Sequence, residues 1–330
     1  MTLKIAIDSF PLTSGHKVRG VGFYTKNLIE ALGKQVDAVD FTTTDLKRYD
    51  VIHYPYLDLF AHTLPIAKST KTVVTVHDVI PLVYPKHYPP GIRGKLNFYL
   101  QKYSLGSVSA IITDTETSKK DICRFLGIKP EKIHVIYLAP RPIFKPITDS
   151  QSLITVRKKY DLPPTFALYV GDVNYNKNIP NLIKACELAR IPLVIVGKQA
   201  KEGKDGSLGL SHPELMHLQN LNWGNVITCG FVPDDDLAAI YSSATVYVQP
   251  SFYEGFGFPV LEAIACGTPV VAAKTQSLVE IAEGAAIFAD PKDPKDIARG
   301  MKNPIKNPVL PRNYSWEKTA KETLGVYAKI

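Results

Sequence analysis

The sequence predicts an α/β protein of two Rossmann-like domains, each on a parallel sheet, and three observations predict it. Short continuous runs rich in Val and Ile alternate with helix-like segments along the chain. Apolar runs without polar alternation belong to strands buried on both faces, as in parallel sheets. The alternation stops once, at APRPIFKPITD (139–149), where three prolines and no periodicity mark a linker, and then restarts. A chain of 330 residues also exceeds the roughly 250–300 at which one core stops growing.

Before the linker, LKIAID (3–8), VIHYP (51–55), KTVVTVHD (71–78), SAIITD (109–114) and HVIYL (134–138) read as strands. FYTKNLIEAL (23–32) and KLNFYLQKYS (95–104) read as helices between them. After it, FALYVG (166–171), PLVIVG (192–197), NVITCGFV (225–232), TVYVQPS (245–251), TPVVAA (268–273) and AAIFAD (285–290) read as strands. IPNLIKACELAR (179–190), DDLAAIYSSA (235–244) and PVLEAIAC (259–266) read as helices. Two consecutive βα series give two Rossmann-like domains. Ligands of such sheets bind beyond the carboxyl ends of the strands, so the expected site is an inter-domain cleft.

Composition bounds the function. A hydrophobic share of 45% and a charged share of 21% fit an ordinary soluble globular protein. No apolar run reaches the ~18–20 residues that span a bilayer, and MTLKIAIDSF lacks the parts of a signal peptide. The expected location is the cytoplasm. Cys123, Cys186, Cys229 and Cys266 form no C-x-x-C pair and meet no His at zinc spacing, so they read as reduced, mostly buried thiols. Residues 1–145 hold 20 Lys and Arg against 12 Asp and Glu, and the rest hold 19 against 19, so the whole excess of eight lies in the first half. That asymmetry suits an anionic partner or membrane surface as well as mere solubility. Nucleic acid is disfavoured, because no basic run or nucleic-acid-binding motif is present.

The chemistry concentrates in loops. In EGFGFPVLE (254–262) a strand leads through a glycine-rich turn into a helix with Pro259 near its start. Gly255 and Gly257 admit close backbone approach, and a helix start attracts an anion. The same dipole would tolerate Glu262 in the first turn. A capped helix with a structural glutamate reads the same way. VRGVGFYTKNL (18–28) offers a second such loop, with Gly20 and Gly22 presented to an anion. Two anion-seeking loops beside glutamates that accept from vicinal hydroxyls fit a diphosphate joined to sugars, that is, a nucleotide sugar.

The E-x7-E block, with EGFGFPVLEAIACGTPVV around it, resembles the GT-B retaining glycosyltransferases of the family-4 type (glycosyl transferases group 1), and within them a mannosyltransferase-like branch acting in surface polysaccharide biosynthesis. GVGFYTKNL, HDVIPLVYP, GDVNYNKNI and the closing NYSWEKTAKETLGVY follow that family in order. The resemblance implies GT-B architecture: an acceptor domain over 1–145, a nucleotide-sugar domain over 146–313, and a closing helix (314–330) packing back on the first. It implies Glu254 and His77 at the donor sugar, Glu262 at the ribose, and Phe256, Gly257 and Phe258 by sugar and phosphates. It also implies Gly20 and Gly22 at the diphosphate and Lys177 against the leaving group. Asp234, near the base, would accept from guanine and favour a GDP-sugar, a UDP-sugar remaining possible; the DDD run also reads as a helix cap. No cofactor and no metal are expected.

One departure stands out. The family's phosphate site pairs its Lys with an Arg, whereas Asp172 and Asn176 occupy those places here, leaving Arg19 as the expected substitute. On the acceptor side, Tyr84, Lys86, His87 and Arg93 precede or open a helix that mixes aromatics with cations. That pattern suits a glycan or lipid-linked acceptor, or peripheral attachment at the inner face of the cell membrane; a helix packed on its own sheet also accounts for it. The reading is a retaining hexosyltransferase, with mannose from GDP-mannose favoured. The rivals are a decayed nucleotide-sugar-binding subunit and a GT-B epimerase, the latter opposed by the E-x7-E block.

Overall fold

Twelve strands form two sheets in a computed structural model that describes residues 3–207, 209 and 212–330. The first sheet comprises β1 (Ile5–Asp8), β2 (Asp37–Val39), β3 (Val51–Tyr54), β4 (Lys71–Thr75), β5 (Ala110–Thr113) and β6 (Ile133–Val135). All pairs are parallel, in the order β2-β1-β3-β4-β5-β6. The second comprises β7 (Ala167–Val170), β8 (Leu193–Val196), β9 (Ile227–Gly230), β10 (Val246–Gln249), β11 (Val270–Ala273) and β12 (Ile287–Ala289). It is also parallel, in the order β12-β11-β10-β7-β8-β9. Read from β9, that is the 3-2-1-4-5-6 order of dinucleotide-binding folds, with its switch point between β7 and β10.

The continuous apolar runs have the expected consequence. Every residue of β1, β3, β8, β10 and β11 is buried. The α/β expectation holds strand by strand except for β2, a three-residue edge strand (Asp-Ala-Val) whose exposed residues carry no apolar run.

The chain partitions into unit 1, Met1–Ala139 with Tyr314–Ile330, and unit 2, Pro140–Asn313. The chain divides at 139/140, six residues before the expected 145/146, because the proline-rich tract is anchored in unit 2. Phe144 is buried with its ring 5.4 Å from Tyr241, and the Ile147 amide donates to Ser242. Within unit 1 the helix Trp316–Lys329 lies along the helix Gly20–Leu32, and its Thr319 hydroxyl donates to the Tyr137 carbonyl. Of the four cysteines, Cys186 and Cys266 are buried and Cys123 and Cys229 half-buried; all are free thiols.

Candidate active site

The carboxyl ends of β7 and β10 carry a hydrogen-bonded polar cluster in unit 2. After β7 the chain makes a 3-10 turn, Tyr175–Lys177, and enters the helix Ile179–Ala189 through Asn178, whose φ of 60° is left-handed. Asn is among the few side chains that adopt this conformation readily. The buried Asn178 amide fixes it by donating to the carbonyls of Pro250 (2.8 Å) and Pro291 (2.7 Å). Asn176 ties the same turn to the loop after β10: its amide donates to the Tyr253 carbonyl, and its carbonyl accepts from the Phe252 amide. These bonds place Lys177 beside Glu254.

Lys177 Nζ donates to both carboxylate oxygens of Glu254, at 2.8 Å each. Glu254 Oε1 also accepts from Gln249 Nε2 (2.7 Å) and Ser251 Oγ (2.6 Å). Among the described residues Oε2 accepts from Lys177 alone, which leaves it a lone pair for a further donor. Lys177 and Glu254 are legible in the sequence, whereas Gln249 and Ser251 are not, because their polar side chains close the strand run that marks β10.

The glycine-rich turn folds for reasons partly its own. Gly257 has φ 112°, and a Cβ there would sit 2.7 Å from Leu278 Cδ2, so both backbone and packing require glycine. Phe256 is buried, 5.4 Å from the Phe258 ring. Phe258 opens the helix Phe258–Ala265 with Pro259 behind it. Glu262 is therefore the fifth helical residue, not in the first turn as expected, and the helix start does not balance its charge. Arg141 does: its Nε donates to Glu262 Oε1 at 2.8 Å and its Nη1 to Asp234 Oδ1 at 2.7 Å. The guanidinium also lies 4.5 Å from the centre of the Phe144 ring, and Tyr241 donates its hydroxyl to Glu262 Oε2. Burial pushes the Glu262 carboxyl up, and Arg141 offsets only part of that rise.

Asp234 is the first residue of the helix Asp234–Ser243, whose cap is Pro233, so it does not cap that helix; its carboxylate faces Arg141. Arg141 carries no local signal in the sequence, since nothing marks one arginine in a proline-rich tract. Asn176, where the family carries a cation, is buried and bonded to Tyr253, so that place holds a structural amide.

In unit 1 the ends of three adjacent strands hold His77. Its ring lies just beyond β4, with Nδ1 2.7 Å from Asp114 Oδ2 beyond β5 and Nε2 3.1 Å from the Pro55 carbonyl beyond β3. An acceptor at each nitrogen is satisfied only when both are protonated. Burial opposes that charge, but Asp114 and then Asp78 outweigh it, and the His77 pKa is raised. Asp114 closes the run SAIITD, a polar ending at a strand's carboxyl end that could have revealed it. Tyr24 sets its ring edge-on to His77 at 4.7 Å and bonds Thr75 through its hydroxyl.

Arg19 is exposed at the cap position of the helix that Gly20 opens. Gly22 is buried instead of presented: a Cβ would lie 2.3 Å from the His16 carbonyl oxygen, so the loop's own backbone requires this glycine. Tyr84 ends the short helix Ile80–Val83 and accepts at its carbonyl from the His87 amide. Arg93 is exposed on the helix Gly91–Gly106.

Comparison with known proteins fixes the family. The family model described as glycosyl transferases group 1 matches residues 154–323, and that of glycosyltransferase family 4 matches residues 42–139. The chain belongs to the group 1 glycosyltransferases. Among relatives of this glycosyltransferase, O-antigen chain mannosyltransferase B of Escherichia coli is 30% identical over 275 residues, covering 78% of this chain and 70% of that protein. The serotype-specific mannosyltransferase WbdA of the same species is 30% identical over 281 residues, which is 79% of this chain but only 34% of WbdA. Among solved structures, sucrose-phosphate synthase from Thermosynechococcus elongatus superposes with a TM-score of 0.71 at 20% identity, covering 99% of this chain and 98% of that one. HepE of Anabaena, solved with UDP and glucose, gives 0.74 at 16% identity, covering 99% and 100%. These are GT-B folds, the class the sequence predicts. No helix among the described residues is long and apolar enough to cross a membrane.

Proposed function

We propose that this enzyme moves a hexose, with retention of configuration and without a metal, from a nucleoside-diphosphate sugar to a glycan or lipid-linked acceptor, the favoured donor being GDP-mannose. The observation that carries the reading is the Lys177–Glu254 cluster at the switch point of β7 and β10, where such sheets bind nucleotides. In unit 2 the donor diphosphate takes the Lys177 ammonium and the start of the helix Phe258–Ala265, and the hexose hydroxyls donate to Glu254. The family resemblance gives Glu262 to the ribose; in this structure its carboxylate is buried, with Oε1 accepting from Arg141 and Oε2 from Tyr241. The mannosyl preference rests on the relatives' names.

The carbon–oxygen bond to the diphosphate breaks while the acceptor hydroxyl attacks from the same face, and its proton passes to the departing phosphate. Lys177 stabilises the charge that builds there. His77, given to the donor sugar by family resemblance, is a separately testable residue.

A panel of GDP-mannose, UDP-glucose, UDP-GlcNAc and ADP-glucose, read by nucleotide release and thermal shift with and without EDTA, tests the reading. One donor at about 100 times its Kd adds ~2.7 kcal/mol of stability. The expected result is stabilisation and slow hydrolysis of one donor, unchanged by EDTA, with the rate falling ~10²–10³-fold in Lys177→Ala. A donor that binds but never turns over, even with lipid-linked glycan acceptors present, would point to a binding subunit.

A further inference from the structure

Strand β10 presents its two faces differently. Val246 and Val248 enter the hydrophobic core of unit 2, whereas Tyr247 and Gln249 alternate onto the other face, and Ser251 follows just past the strand. All three polar side chains are buried. A buried amide is costly unless its hydrogen bonds are made. Gln249 makes them: Oε1 accepts from the Tyr247 hydroxyl, and Nε2 donates to Ser251 Oγ at 2.8 Å and to Glu254 Oε1 at 2.7 Å.

The amide can stand only this way round. Turned over, it would aim its oxygen at the Glu254 carboxylate, which has no hydrogen to give. The Tyr247 hydroxyl, fixed in the core, supplies the hydrogen that holds the amide oxygen away from Glu254. The result is asymmetric. Lys177 does not choose between the two oxygens of Glu254, since it donates to each at 2.8 Å. Gln249 and Ser251 do choose: both donate to Oε1, at 2.7 and 2.6 Å. Oε1 thus receives three donors, and Oε2 receives Lys177 alone among the described residues. The main chain is held as well, with the buried Ser277 hydroxyl donating to the Glu254 carbonyl at 2.7 Å.

We propose that Gln249, oriented by Tyr247, is a positioning residue of the transfer reaction: it turns Glu254 so that Oε1 is occupied inside the protein and Oε2 is offered to one hydroxyl of the donor hexose, given the reading above that Glu254 meets that sugar. Leucine at position 249 fills a similar space but leaves the Glu254 carboxylate free to turn. Misplacing a substrate-binding group by about 1 Å costs up to ~100-fold in rate. A nucleoside diphosphate without the sugar does not reach Glu254, so its affinity does not depend on Gln249.

The test compares the parent chain with Q249L, Y247F, E254A and Q249L/E254A. The probes are GDP-mannose for turnover and GDP for binding, or UDP-glucose and UDP if the panel above selects that donor. The expected result is a kcat/KM for the donor that falls ~10–100-fold in Q249L and by less in Y247F, with the Kd for the nucleotide within about twofold of the parent in both. That nucleotide binding also shows the variants to be folded. In the E254A background Q249L should lower turnover no further, because the group it positions is gone. Parent-like turnover by Q249L beside a defective E254A overturns the proposal and leaves the reading of Glu254 intact. Parent-like turnover by E254A removes the reading and the proposal together. A Q249L loss that persists in full in Q249L/E254A makes Gln249 a packing residue and overturns the proposal too. If Q249L loses nucleotide affinity as well, Y247F, which removes a single oxygen, decides by the same criteria.

Discussion

At the scale of single residues, Arg141 sets the state of two carboxylates. Glu262 is wholly buried, and a buried carboxylate survives only if paired. Removing one partner of such a pair leaves an uncompensated charge and costs about 3–5 kcal/mol. Arg141→Met should therefore destabilise unit 2 by that amount at neutral pH, measured by urea unfolding. Arg141→Met/Glu262→Gln should recover more than half of the loss, because both charges are then gone. If the double variant is no more stable than Arg141→Met, the coupling is wrong. The half-exposed Asp234 contributes less, since solvent screens it.

At the scale of elements, local pattern decided what the sequence disclosed. Strands such as VVT and VIHY are legible because each buries contiguous apolar residues. The Lys177 and Glu254 loops were legible because glycine, proline and charge cluster at strand ends. β2 was not, since an exposed three-residue edge strand has no pattern to read. The Arg141 contacts were not, since they join residues 93 and 121 positions apart in sequence.

Gly257 was legible for half of its reason. Its place in a glycine-rich loop suggested a ligand, whereas its left-handed φ and the nearby Leu278 methyl are requirements of the fold. Gly257→Ala should cost about 2–4 kcal/mol through strain and overpacking together. Gly325→Ala, in the last helix with nothing within 4 Å of the added methyl, should be neutral or stabilise by up to ~1 kcal/mol. Equal unfolding midpoints for the two variants would remove the packing argument.

At the scale of the whole molecule, the end of the chain completes the first unit. Tyr327, in the helix Trp316–Lys329, places its hydroxyl 2.6 Å from His53 Nδ1 on β3, while His53 Nε2 meets the Thr75 hydroxyl at 2.8 Å. Both partners can give or take a proton, so the pair suits a neutral ring. Burial, with a smaller push from His77, lowers the His53 pKa to about 3. The unfolded chain protonates this ring near 6.5 and the folded chain does not, so stability present above pH 6.5 is lost as the pH falls toward 3. The slope is ~1.4 kcal/mol per pH unit. His77 runs the other way, its raised pKa giving stability that is full below 6.5 and lost as pH rises through the folded value.

The two tryptophans make the first unit separately visible, since Trp316 lies in unit 1 and Trp223 in unit 2. In a Trp223→Phe background, Trp316 fluorescence should report a urea midpoint that falls between pH 6.5 and 4.5. His53→Gln should flatten that fall by ~1.4 kcal/mol per pH unit, leaving the loss due to ordinary carboxylates. Parallel curves for the two proteins would mean that His53 is not held neutral by its burial under the last helix.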